Sequence, residues 1–244
     1  MRYEFPLRYL ARMWLDVAPM RPTDAVFARA RALMGRPELQ NGVGQDPVSG
    51  QRPALFSRTG LQVLLPGESF DVAFVPTIGD DGTDRQLPAF AVFVDEVATY
   101  MSAFARGHER HAYRLALVKE GFLEMAPQVR DELPRRIFRI PEPFAATPPF
   151  EWDWRLASQI DRDFAGARER VNTVATLKRA SGSFVRLGGM EAFDKVRLDI
   201  DISTAHNREQ QRFDPGQVET FFRSCLGWQN ELWRQMEHAL QMEG

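Results

Sequence analysis

The segment Lys195-Val-Arg-Leu-Asp-Ile-Asp-Ile202 alternates a charged residue with an aliphatic one and never breaks the pattern. Side chains that repeat every two residues belong to a strand, and a strand with one wholly apolar side must bury that side against something else. The same alternation opens the chain. Phe5, Leu7, Tyr9, Ala11, Met13, Leu15 and Val17 share one side, and Glu4, Arg8, Arg12 and Asp16 share the other. It returns at Trp152, Trp154, Leu156 and Ile160, and again at Val171, Thr173, Ala175 and Leu177. Strands of this kind build antiparallel sheets with one wet face, because strands of a parallel sheet are buried on both sides and read as continuous apolar runs.

Such a sheet needs helices over its apolar face, and the sequence supplies three. Thr23 is placed to cap a helix through Val26, Phe27, Ala30, Leu33 and Met34, with Gly35 free to take the left-handed closing position. Phe90, Phe93, Val97, Tyr100, Met101 and Phe104 recur at three- and four-residue spacings up to Gly107, which predicts a helix starting near Asp95. Asp214-Pro215 is a cap followed by a first-turn proline, and Val218, Phe221, Phe222, Cys225, Trp228, Leu232, Trp233, Met236 and Leu240 fall on one side of the helix it opens. Gln229 lands within that side and requires a hydrogen-bond partner if buried. Short β-type pieces at 54–57, 61–65 and 70–75 are broken by Thr59-Gly60 and Pro66-Gly67, and 111–120 carries Tyr113, Leu115, Leu117 and Val118. Positions 36–53 are rich in Gly, Pro, Asn and Gln without apolar period, so a long surface loop is expected there, with a second polar loop at 79–85.

The expected class is therefore α+β, antiparallel sheet with helices packed on one face. The order strand, helix, two or three strands, helix, strand in the first half is that of a ferredoxin-like sandwich. Prolines at 127, 134, 141, 143, 148 and 149 make 122–150 a crossing segment without long regular elements. It divides a ferredoxin-like half at 1–121 from an antiparallel meander plus C-terminal helix at 151–244, an arrangement equally compatible with one continuous domain. No internal repeat of fixed period is visible.

Composition narrows the function classes. With 31 Lys plus Arg against 33 Asp plus Glu, the net charge of −2 removes the bulk attraction on which nonspecific nucleic-acid binders rely. The single cysteine, Cys225, excludes an internal disulfide framework and a thiolate zinc cluster, and points to a reducing compartment. Arg8 and Arg12 interrupt any signal-peptide core, and no run approaches the ~18 apolar residues of a membrane span. A cytoplasmic location without membrane contact is the expectation.

Asp131-Glu-Leu-Pro-Arg-Arg-Ile-Phe138, Pro143-Phe144, Trp152-Asp-Trp-Arg155 and Phe193-Asp-Lys-Val-Arg-Leu-Asp-Ile-Asp-Ile202, followed by a final helix, form a recognisable series. In these features the chain resembles a sporadically distributed, functionally uncharacterised bacterial family of about this length, α+β in fold with a Leu-Asp-Ile-Asp motif before a C-terminal helix. The resemblance implies a bacterial cytoplasmic setting and no catalytic residues, and its sporadic character suggests a defence or toxin–antitoxin type system.

No nucleophile elbow, phosphate loop or dinucleotide fingerprint is present. Asp199 and Asp201 lie two apart on one side of a strand with His206 close behind, the donor types of a divalent-cation site in a hydrolase or nuclease, although plain alternation produces the same pair on a wet face. Arg135, Arg136 and Arg139, interleaved with Ile137 and Phe138, are the best local basic cluster for RNA. His108-Glu-Arg-His111 has the wrong spacing for a zincin and straddles a helix end, and Cys225 on the apolar stripe reads as a buried hydrophobe. If the three late strands are neighbours, Asp153, Arg155, Gln159, Asp161, Arg170, Asn172, Thr176, Lys178, Lys195, Arg197, Asp199 and Asp201 form one polar face. Arg155, Arg170, Lys178 and Arg197 would then be its cationic contacts. That face reads equally as cross-strand pairs that fix register and as a docking surface for a macromolecule. The leading expectation, from the absence of a catalytic constellation and from the long polar loops, is a non-enzymatic protein that binds a macromolecular partner, most simply another protein, with no cofactor.

Overall fold

In the computed structural model, residues 2–46, 50–78, 84–85, 87–138, 147, 149–186, 189–207 and 212–241 are described. In chain order the elements are β1 (Arg2–Leu15), α1 (Asp24–Met34), β2 (Gln40–Asp46), β3 (Gly50–Phe56), β4 (Leu61–Leu64), β5 (Phe70–Phe74), the small pair β6 (Thr77–Ile78) and β7 (Asp84–Arg85), α2 (Phe90–Gly107), β8 (Ala112–Glu124), α3 (Pro127–Ile137), β9 (Asp153–Phe164), β10 (Ala167–Arg186), β11 (Gly189–Thr204) and α4 (Pro215–Gln241). Nine strands make one antiparallel sheet in the order β2-β3-β4-β5-β1-β8-β11-β10-β9. Within it β4-β5-β1-β8, with α1 and α2, is the ferredoxin-like arrangement, widened by β3 and β2. The fold is α+β.

The sheet's two faces follow from its register. One row runs Ser158–Thr173–Ile202–Leu117–Ala11–Val72–Val63–Leu55–Asn41 across all nine strands, apolar through its middle and covered by helices. Phe70 of β5 stacks on Phe104 of α2 at 3.9 Å, and Tyr9 of β1 meets Phe90 and Phe93 at 5.0 and 5.4 Å. Phe164 at the end of β9 packs on Phe221 and Trp228 of α4, and α2 and α4 pack on each other. Among the described residues no helix is long and apolar enough to cross a membrane.

Local signals explain most boundaries. Thr23 accepts from Val26 N, and Gly35 closes α1 at φ 63°. Asp214 and Gln217 exchange backbone-to-side-chain bonds of 2.8 and 3.0 Å, a capping box at the start of α4. Pro6 stands inside a central strand, where the missing N–H would break the ladder, and the β1–β8 register shifts at that point.

Three expectations are corrected. Segment 36–53 is not a loop: 40–46 and 50–56 are the strands β2 and β3. A Cβ on Gly42 would come within 2.6 Å of the Phe56 ring, and one on Gly44 within 2.1 Å of a Leu64 methyl, so the glycines are what let β2 lie against its neighbours. The crossing segment contains α3, which begins on Pro127, tolerates Pro134 in its last turn and buries Leu133 and Pro134. Helix α2 starts at Phe90, ahead of Asp95.

Lys119 shares its side of β8 with Leu115 and Leu117, and so points under the helices. Its Nζ lies 4.8 Å from the Phe90 ring of α2 and 5.6 Å from the Trp233 ring of α4. Burial lowers its pKa from 10.5 to about 8. The folded chain therefore gives up this proton before the unfolded chain does, so the burial penalty is full below about pH 8 and fades as pH rises towards 10.5. Urea titrations should show stability rising between pH 8 and 10, a rise that Lys119→Met removes. Phe221→Ala, at a fully buried site, should cost about 3–5 kcal/mol, whereas Trp228 and Leu232 are only partly buried and their truncation should cost less.

Candidate functional site: the open face of the sheet

The face opposite the helices carries the alternate residues. The predicted strand neighbours are observed, with Asp161 beside Arg170, Gln159 beside Asn172, Thr176 between Arg155 and Asp199, and Lys178 between Asp153 and Arg197. Arg170 Nε lies 3.6 Å from Asp161, and Gln159 donates to Asn172 at 3.0 Å. Such pairs fix the register of neighbouring strands.

Two ion-pair ladders cross this face. Glu120 of β8 bridges Arg8 of β1 and Arg197 of β11, and Arg197 also donates to Asp199 at 2.6 Å. Arg12 of β1 makes a bidentate pair with Asp71 of β5 at 2.8 and 2.9 Å, and buried Arg52 of β3 approaches the same carboxylate at 3.5 Å. These groups are satisfied. Asp199 nevertheless has its carboxyl pushed above the usual range, because burial outweighs the help of Arg197.

Asp201 stands differently. Its row reads Ala157–Val174–Asp201–Val118–Leu10–Ala73, so the carboxylate is flanked by valines on both neighbouring strands. Desolvation raises its pKa, opposed by the charges of Arg114, Arg155 and Arg12. Among the described residues its Oδ1 is buried without a hydrogen-bond partner, and so is Nε of Arg114. Both residues line one shallow hollow of about 320 Å³, together with Arg155, Asn172, Val174 and Ser203. Trp14 lies next to it, its ring 4.5 Å from the Arg114 guanidinium and 5.5 Å from that of Arg12. Leaving a complementary donor and acceptor unmade costs about 1–3 kcal/mol per group.

The remaining candidates fall elsewhere. His206, exposed beyond β11, sits edge-on to Tyr113 at 6.0 Å, and among the described residues no three of His, Cys, Asp and Glu gather where one cation could be held. Arg135 and Arg136 ride on helix α3 rather than on a strand, Arg136 donating to Glu132 at 3.2 Å, and Arg139 lies outside the described residues. Cys225 is fully buried, with its thiol pushed well up by desolvation. His108 caps the end of α2 and packs on Phe104 at 4.4 Å. Gln229 is buried and donates to Leu117 O at 3.4 Å.

Sequence reasoning missed Arg114 and Trp14. The signal was present: Leu10 and Trp14 share the side of β1 that carries Arg8 and Arg12, so the wet side of that strand was never purely polar. The chain matches no family model and no curated protein.

The raised pKa of Asp201 means that folding favours its protonated form, so ionisation penalises the folded state at neutral pH and the penalty is relieved as pH falls through the folded value. Asp201→Asn should raise the melting temperature at pH 7, with the gain shrinking towards acid pH. A lower melting temperature at pH 7 would show that the three arginines already outweigh the burial.

Proposed function

We propose that this is a non-enzymatic binding protein whose open sheet face docks a macromolecular partner, and that the partner is another protein. The observation that carries the reading is the hollow beside Trp14 that Arg114, Arg155 and Asp201 line together, two guanidinium groups and one carboxylate on the open face. Guanidinium donors and a carboxylate acceptor in one lining are complementary to a group that offers acceptor and donor side by side, as a peptide unit or an Asn or Gln side chain does. A phosphate offers acceptors only and would sit against the Asp201 carboxylate, which disfavours a nucleic-acid backbone, as does the net charge of −2. Trp and Arg are also the residue types that most often dominate protein interfaces. Against catalysis stand the buried Cys225 thiol and the engagement of Asp199 by Arg197. The resemblance of 152–155 and 193–202 to a sporadic bacterial family supports a cytoplasmic role in a bacterial defence or toxin–antitoxin type system.

The test is affinity capture from the native host with wild type, Arg114→Ala and Asp201→Lys, each checked for an intact melt and each repeated after nuclease treatment. The expected result is a protein held by wild type through nuclease treatment and weakened about thirtyfold or more by either substitution, the scale of a 2 kcal/mol interface anchor. Capture that is unchanged in both variants, or abolished by nuclease, overturns the proposal.

A further inference from the structure

Strand β9 ends the sheet order, with β10 on one side and no strand on the other among the described residues. Such an edge is a template for another chain, and natural proteins usually blunt it. This one is long and carries exposed apolar side chains, Leu156 at 54% and Ile160 at 38% exposure. Arg179 N donates to Trp152 O at 3.1 Å, in the same register that continues through β9. Even-numbered residues therefore turn their backbone groups towards β10, and Arg155, Ala157, Gln159 and Asp161 turn theirs outward.

We infer that the partner of this edge is the β9 edge of a second copy of the chain. Two copies related by a two-fold axis pair residue i with residue j at a constant sum, and outward groups meet only if that sum is even. With the axis at Ser158, Arg155 faces Asp161 twice and Leu156 faces Ile160 twice. The aliphatic pairs occupy the non-hydrogen-bonded positions, where side chains approach most closely. Trp154 then faces Arg162. Moving the axis to Ala157 sets Asp153 against Asp161. Moving it to Gln159 sets Leu156 against Arg162 and Ala157 against Asp161. Of these three registers the Ser158 one alone is complementary in both charge and apolarity. Its like-charged contact, Asp153 with Asp163, also occurs twice, once at each end of the ladder, where Lys178 and Arg168 are the respective neighbours on β10. The product is a continuous sheet of eighteen strands, nine from each copy; its backbone ladder uses neither Arg114 nor Asp201, although Arg155, Ala157, Ser158 and Gln159 of the edge also line the hollow.

Analytical ultracentrifugation over a dilution series tests this. Wild type should sediment at twice the 27.9 kDa of one chain when concentrated and at the single mass when dilute. Ala157→Pro deletes an outward donor and no bond to β10, so it should leave the melt in place and give the single mass throughout. Arg155→Asp and Asp161→Arg should each give the single mass, and the double swap should restore the doubled one. A wild type monomeric at every concentration, an Ala157→Pro protein that still doubles, or a double swap that stays single overturns the inference. Arg114→Ala, which tests the open face, should still double.

Discussion

Twelve partner pairs join β1 to β8, from Arg2 with Glu124 to Leu15 with Ala112, and they bring together segments about a hundred residues apart in the chain. Every other strand of the nine-stranded sheet is hung on these two. β5 pairs with the free side of β1, and the meander β2-β3-β4 extends from it. β11 pairs with the free side of β8, and β10 and β9 extend from it in the opposite direction. The halves thus share one plan, in which a strand and a helix lead into a meander that returns to pair with that first strand, followed by a covering helix. No sequence period announces this repeat, which exists in the order of elements alone. Because the central pair is so non-local, its loop-closure entropy must be offset before either meander has a full partner, and slow cooperative folding is the consequence of that topology.

The two-faced character of the sheet makes its register strict. A slip of one residue in β11 would turn Arg197, Asp199 and Asp201 under the helices and push Leu198, Ile200 and Ile202 into water. The ladder from Arg8 through Glu120 and Arg197 to Asp199 reinforces the same register across β1, β8 and β11. Ion pairs at this level of exposure contribute little to stability individually. Their role here is to make wrong pairings poor, because any shift leaves the buried Glu120 without its arginines.

Most of this was readable from periodicity. The strands around Ala11, Ala175 and Ile200 alternate, and α4 shows its stripe, because in each case one face is buried and the other is not. What escaped the sequence has particular causes. β2 hid behind glycines, whose loop-like composition records the steric demand of Phe56 and Leu64, residues far enough along the chain that only the pairing reveals it. α3 hid behind prolines that happen to fall at its first position and in its last turn, where they are tolerated. The hollow was invisible because Arg114 and Asp201 lie on β8 and β11, and nothing short of the strand order makes those strands neighbours. Asp199 and Asp201 look equivalent in the sequence, yet their neighbours separate them. One faces Glu120 and Thr176 and has an arginine, the other faces two valines and has an unmade bond.

That difference recurs between the two halves and locates where recognition can occur. In the β1–β5 half the buried charges are closed on themselves. Arg52 donates to Leu65 O and Ser69 and lies in ion-pair contact with the Asp71 carboxylate, to which Arg12 donates twice, so little is left for an outside group to satisfy. In the β8–β11 half the corresponding face holds a carboxylate oxygen and a guanidinium nitrogen that are buried without a partner among the described residues. Both halves end in an edge strand, β2 in one and β9 in the other, and β9 adds exposed leucine and isoleucine side chains. A buried polar atom without a partner costs stability in the isolated chain, and an exposed edge is a template on which another chain can pair. A fold whose charges are closed on themselves in one half can carry buried charged atoms without partners in the other, and the chemistry left open there, guanidinium and carboxylate on the face and a self-complementary ladder at the β9 edge, narrows what can dock.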